Sequence, residues 1–380
     1  MNRFAVLAAA LTALFASPVQ AAKLVDCPLR DLPFSSASPL MDIMLSPAAS
    51  AAVETVVPGM IKTMPPMFAS KIPPSFAAIL TVREAAGLGA RYAPDPSKVV
   101  TPDLTGIDAA LAAVPVTQSD RIARCARYDT VSPKFNLPAG RPRVLLFEKI
   151  NGFKDVPSVG GAHAAFVAMA TRKGWAMVIS DKGSAFNPDV LRRFDVVIWN
   201  NISGDVLTLS QRRSFQRWME RGGGFVGVHG TAGDPVYFWD WYVDGLLGAR
   251  FAGHPMAPQF QDARVVVDDK THPAAAGLPA EWMMNDEWYS FKNNPRASGS
   301  RIIATLDEAT YKPEGMGGQS LRMGADHPIA WSRCIGRGRM FYSAIGHRPE
   351  RYGDAIYVQM LEQAVAWAGD RTASDCRAAR

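Results

Sequence analysis

The chain has 380 residues, 48% hydrophobic and 20% charged, with 41 basic against 35 acidic side chains. It is long and apolar enough for a sizeable core, and its small positive excess contains no dense basic run, so nucleic acid is not expected as a partner. None of the four cysteines (Cys27, Cys125, Cys334, Cys376) lies at C-x-x-C spacing, which argues against a zinc ribbon or a redox motif.

In chain order, residues 1–22 carry one positive charge at Arg3, then an apolar run from Phe4 to Ala16. They end in Val19-Gln20-Ala21, the small-x-small pattern of a signal peptide cleaved near Ala21-Ala22. The run is too short for a bilayer span, and no later stretch is long and apolar enough. A periplasmic or secreted product without membrane insertion is therefore expected. An oxidising compartment permits two disulfides. Of the three connectivities, Cys27–Cys125 with Cys334–Cys376 is favoured, because each bond ties one region to itself.

Residues 23–140 contain no histidine and are rich in Pro, Ala, Ser and Met. They read as a small helical region of unknown role. Ser46-Pro47 has the form of an N-cap with proline at the first helical position, opening PAASAAVETVV before Pro58. A second helix is expected over SFAAILTVREAAGL, ending at Gly87, and a third from Thr101-Pro102 through GIDAALAAV to Pro115.

The rhythm changes over residues 141–370. RVLLFEK (143–149) is an apolar run of the kind buried on both faces of a sheet. AHAAFVAMATRKG (162–174) has helical spacing, WAMVIS (175–180) is strand-like, PDVLRRF is a short helix and DVVIWNN (195–201) a third strand. Thr208 and Gln211 form a capping box for LSQRRSFQRWMERG, and FVGVHG is a fourth strand. The alternation predicts an α/β fold, a parallel sheet flanked by helices. YGDAIYVQMLEQAVAWAG (352–369) closes it as an amphipathic helix, followed by a tail, 371–380.

Ligands of open α/β sheets bind beyond the carboxyl ends of the strands. The chain puts polar residues there: Glu148, Lys149 and Asn151 after the first strand, Asn200 and Asn201 after the third, His229 after the fourth. GGGFVGVHG (222–230) runs a strand into a glycine-flanked corner, as hydrolases do to present a nucleophile. Here the corner residue is histidine, with no Ser or Cys in the loop, which argues against acyl transfer. A metal ligand, a general base, a substrate contact and a structural histidine all remain open for His229.

All six histidines lie in this region. His229, His254 and His347 are the candidate site residues, the last placed at the end of a strand RMFYSAIG (339–346). His163 is expected at the start of the first helix, and His272 and His327, each followed by proline, are expected to shape turns or bond to backbone. In NDEWYSF (285–291), strand alternation sends Glu287 and Tyr289 to one face and Asp286 and Trp288 to the other, which favours Glu287 with Tyr289 beside it. Asp307-Glu308 has a similar pattern and reads equally well as a solvated turn. Trp241, in WDWY, could offer an aromatic platform to a sugar ring.

Several motifs in order resemble the ThuA family, named for trehalose utilisation: Phe194-Asp195-Val196-Val197, Leu207-Thr208, Gly222 to His229, Gly253-His254-Pro255, Thr271-His272-Pro273, Asp286-Glu287-Trp288-Tyr289, Asp307 to Tyr311, Asp326 to Trp331 and Gly346-His347. The resemblance covers roughly 141–370. It implies a fold like that of class I glutamine amidotransferases without their cysteine, with His229 in the place of the nucleophile. One stretch departs: ThuA-like sequences commonly carry Phe-Arg-His after the first strand, and here Gly152-Phe153-Lys154-Asp155 puts Lys154 for the arginine and Asp155 for the histidine.

The function expected is a carbohydrate-processing enzyme acting on a disaccharide or keto-sugar derivative, by metal-assisted isomerisation, elimination or hydrolysis. His229, Glu287 and His347 would serve as ligands of a divalent ion (zinc or similar) or as bases, and His254, Asn151, Asn201, Tyr289 and Trp241 as substrate contacts. No nucleotide cofactor is expected. The rival reading is a non-catalytic sugar-binding or scaffold protein. An amidotransferase is set aside for want of the cysteine.

Overall fold

The computed structural model describes residues 25–92, 102–370, 372 and 376; the expected signal peptide, 1–22, lies outside them. The amino-terminal region folds as short helices: α1 (Leu40–Leu45), α2 (Pro47–Val56), α3 (Pro66–Ala69), α4 (Val82–Tyr92), α5 (Leu104–Ala112) and α6 (Gln118–Cys125). They share a core of their own, with Leu40, Ile43, Val53, Ala77, Ile107 and Leu111 buried. Ser46 caps α2 through its side chain, as its sequence suggests.

The second expected helix is broken. A single turn at Phe76–Ala78 is followed by an extended link, because Thr81 bridges to Pro39, and α4 then runs past Gly87 to Tyr92. The third is capped by Asp103, which accepts from the Gly106 amide, so it starts beyond Thr101-Pro102. Both disulfides, Cys27–Cys125 and Cys334–Cys376, are formed.

The rest of the chain runs β1 (Arg143–Phe147), α7 (Val156–Lys173), β2 (Ala176–Ser180), α8 (Pro188–Leu191), β3 (Val196–Asn200), α9 (Leu209–Glu220), β4 (Gly224–Val228), β5 (Phe251–Gly253), β6 (Phe260–Val267), β7 (Glu281–Glu287), β8 (Ser290–Phe291), β9 (Arg301–Asp307), β10 (Pro328–Ile335), β11 (Gly338–Ser343) and α10 (Ala355–Gly369). A nine-stranded sheet has the order β2-β1-β3-β4-β11-β10-β9-β6-β7, and β5 pairs with β8 apart from it. The first five strands are parallel, as the alternation predicts. From β11 onward every pairing is antiparallel, a half of the sheet that the βα rhythm does not announce. Counting directions across it, β7 runs the same way as β4 and β11. Its carboxyl end therefore lies on the same edge as theirs.

Helix α7 begins at Val156, six residues ahead of its expected start, with Pro157 in its first turn and Gly174 ending it in a left-handed conformation. The two glycines before Ala162 do not delay it. Gly161 packs where a side chain would meet the Pro349 backbone, so α7 lies close to the segment that follows β11. Thr208 and Gln211 form their capping box on α9. Among the described residues no helix is long and apolar enough to cross a membrane.

Candidate functional site

Buried Gly224–Val228 feeds directly into His229, whose φ of +36° lies in the region L-residues seldom occupy. The turn persists because its neighbours over-determine it. Tyr342 donates to the His229 carbonyl (2.8 Å), the Gly230 amide donates to Asn201 Oδ1 (3.0 Å), and Thr231 Oγ1 donates to the Trp199 carbonyl (3.0 Å). A side chain at Gly227 would collide with Thr231. The corner thus aims the imidazole to one place above the strand ends.

Three donor atoms meet there. His229 Nε2 lies 3.3 Å from Glu287 Oε2 and 3.2 Å from His347 Nδ1, and His347 Nδ1 lies 3.2 Å from the same Glu287 oxygen. Their tautomers follow from the opposite ring nitrogens. His229 Nδ1 is 2.7 Å from the Ala344 carbonyl, which can only accept, so Nδ1 carries the hydrogen and Nε2 a lone pair. His347 Nε2 faces Asp155 Oδ2 at 3.4 Å, which likewise leaves Nδ1 with its lone pair inward. Two imidazole lone pairs and a carboxylate oxygen then converge on one point, a repulsive arrangement unless a cation lies among them.

The geometry suits a metal ion. Bonds of about 2.1 Å to a tetrahedral ion separate its ligands by roughly 3.4 Å, close to the edges of this triangle, and leave the outer side open. Among the described residues, His229, Glu287 and His347 form the one group of this kind. Acceptors behind both imidazoles complete the pattern of oriented metal ligands. The cluster also acts on the titration of His347 and Glu287. Burial opposes charge on His347, but hydrogen bonding to Glu287, with Asp155 and Asp286 nearby, raises its pKa overall. Burial would push Glu287 up, yet His229, His347 and the charge of His254 hold it well below the usual carboxylate range.

His254 reaches the other oxygen of the same carboxylate: its Nδ1 is 3.0 Å from Glu287 Oε1 and 3.0 Å from the Pro255 carbonyl. Gln259 donates to that oxygen too, at 2.5 Å. Tyr289 lies over His229, ring centres 4.2 Å apart. Glu287 ends β7, and Tyr289 returns to the same side from the link between β7 and β8, not from one continuous strand.

Other expected positions fall elsewhere. Asn151 is buried in the loop after β1, donating to the Asp205 carbonyl and away from the histidines. Asn201 stands behind the corner, with Nδ2 on Asn200 and Tyr352. Trp241 packs on Trp239 and Phe215 within a one-turn π-helix, Trp241–Leu247. His163 is two turns inside α7, on the Glu148 carboxylate (3.0 Å), because the helix starts early. His347 is four residues beyond the end of β11, since that strand stops at Ser343. Glu308 is buried on His327 rather than solvated, at 2.9 Å, and His272 accepts from the Ala274 amide in a turn.

Four contributors are not among the expected site residues: Asp155 is marked in the sequence only as a departure from the family pattern, Asp286 only as lying on the strand face opposite Glu287, and Gln259 and Phe260 not at all. Asp155 backs His347. Asp286 is fully buried and accepts from the Gly346 and Arg348 amides, gripping the segment that carries His347; burial pushes its pKa up. Gln259 steadies Glu287. Phe260, paired with Glu287 across β6 and β7, sets its ring 5.3 Å from that of His347.

Comparison with known proteins agrees with the fold. A ThuA-like protein from Bacteroides uniformis is similar at 26% identity and TM-score 0.52, over 63% of this chain and 95% of that one. A second, from Parabacteroides merdae, is 19% identical with TM-score 0.46, over 60% and 89%. No curated protein matches the chain. The model of the ThuA family, described as trehalose utilisation, matches residues 143–368 and so takes in β1 through most of α10, including every member of the histidine–glutamate cluster. The chain belongs to the ThuA family, and that membership supports a carbohydrate-related role.

Proposed function

We propose that this protein is an exported enzyme that processes a disaccharide or keto-sugar derivative at a divalent metal site formed by His229, Glu287 and His347. The observation carrying the reading is the triangle of inward lone pairs with edges of 3.2–3.3 Å, each imidazole backed by an acceptor on its far side. A divalent cation bound there would act as a Lewis acid toward a substrate carbonyl or hydroxyl.

The remaining chemistry belongs to the chain. Its Nδ1–H directed at Glu287 Oε1 and the Pro255 carbonyl, His254 keeps its lone pair on Nε2, in a side chain about one-quarter exposed. It is suited to take a proton from the carbon beside a keto group, with Glu287 supporting the imidazolium. Tyr289 closes the buried side of His229 and keeps water from it. Export is supported by the leader-like first 22 residues and by both cysteine pairs being bonded.

The test is elemental analysis of protein purified without chelator, then keto-sugar turnover with and without the ion found. One divalent ion per chain is expected, lost together with turnover in His229→Ala. Protein without stoichiometric metal, whose His229→Ala variant still binds sugar like wild type, would instead be a binding module.

A further inference from the structure

The amino-terminal helices lie outside the residues matched by the family, yet they reach the edge of the site. The Ser75 amide donates to the Asn151 carbonyl (3.0 Å), and next to it Phe76 stacks on Phe153, ring centres 4.8 Å apart and planes 29° apart. Phe68 continues the row, 5.2 Å from Phe76. The junction is tightly built. A side chain at Gly152 would strike Ile79 and Ser203, and Ser203 Oγ accepts from the Phe153 amide (3.0 Å). Even so, Phe153 remains 40% exposed.

Phe153 is two residues from Asp155, so their Cα atoms are within about 7 Å, and Asp155 touches His347 of the cluster. The loop after β1 therefore carries a polar residue into the site and an apolar ring onto its rim. A rigid, part-open aromatic surface beside a polar centre suits the C–H face of a pyranose ring, which stacks on aromatic side chains while its hydroxyls stay wet. Trp241, the aromatic expected from the sequence, is half-buried against the core, its ring edge-on to Phe215 and beside Trp239, and has no contact with the histidine–glutamate cluster among those the structure shows.

We infer that Phe153 and Phe76 form the subsite for a second sugar ring, so that the amino-terminal helices complete the site and select a glycoside of two or more rings over a free monosaccharide. This rests on the carbohydrate-processing reading above. The ring bearing the reacting carbon would lie at His229, Glu287 and His254, with its neighbour on the phenylalanine pair.

The experiment compares wild type with Phe76→Leu and Phe153→Leu, which keep apolar volume but lack the aromatic face. Probes are trehalose and glucose, with their keto derivatives, measured by calorimetric binding and turnover alongside metal content. Expected is about tenfold weaker binding and higher KM for the disaccharide probes, with glucose-derived probes, kcat and metal content unchanged. Equal behaviour of variants and wild type toward the disaccharides, equal losses on both probe sizes, or a wild type that does not prefer the disaccharides overturns the subsite. Those outcomes leave the metal reading standing if the ion and its dependent turnover are present. A wild type with neither ion nor turnover overturns both.

Discussion

At the residue scale the site depends on holding imidazole lone pairs inward. Asp155 does this for His347, as the Ala344 carbonyl does for His229. Replacing Asp155 by asparagine removes the charge but keeps the size, so His347 loses its preference for one tautomer. Partners behind metal ligands typically contribute 10- to 100-fold to affinity. A fall of about that size is expected for Asp155→Asn in a chelator-competition titration; unaltered affinity would mean that the carboxylate does not orient the ring. The aspartate at 155, read in the sequence as a departure from the resembled pattern, has a place in this geometry behind His347. His229, Glu287 and His347 were legible as candidates because histidine and carboxylate at strand ends are chemically conspicuous. Asp286, Gln259 and Phe260 were not, since an acid, an amide or a ring on a strand looks the same whether it faces a site or solvent.

Among the elements, those ruled by local chemistry follow the sequence closely. The reciprocal box on α9, where Gln211 Oε1 accepts from the Thr208 amide (2.9 Å) and Thr208 accepts from Gln211, is readable from four consecutive residues. Thr208→Ala should lower unfolding stability by about 1 kcal/mol without changing metal content, because α9 contributes no side chain to the cluster. Denaturant titration with metal analysis checks both; an unchanged midpoint would place the cap's worth near zero. Elements shaped by neighbours depart from the pattern. The segment 75–88 has helical spacing but breaks, because Thr81 pairs with Pro39. Helix α7 begins six residues early and keeps Gly161, a weak helix former, in its interior, where the missing side chain allows the close approach to Pro349.

For the molecule as a whole, the antiparallel half of the sheet matters most. In sheet order β7 is five places from β4, which in a flat sheet is roughly 24 Å, yet Glu287 and His229 lie 3.3 Å apart. The far half must curl back over the mouth to make that contact. Beneath the 229–234 turn, Asp234 is buried, and burial pushes its pKa up to about 7 although the Ser203 hydroxyl and Gly204 amide donate to it. The native state then holds a proton that the unfolded chain has already shed above pH ~4. This contribution to stability is full at low pH, declines between about pH 4 and 7, and is gone above that. Asp234→Asn, which stays neutral, should flatten this part of the profile; urea midpoints at about pH 4.5 and 7.5 that shift equally in both proteins would refute the assignment.

Local patterns by themselves determined the parallel βα core, the caps of α2 and α9 and the residue types available for chemistry, because these depend on contacts a few positions apart. Only the tertiary structure decided which of those groups meet. The curl that carries Glu287 to His229, the early start of α7 that sets Asp155 behind His347, and the docking of Phe76 on Phe153 all arise between segments distant in the chain. Side-chain packing across such distances has no period for a sequence to display.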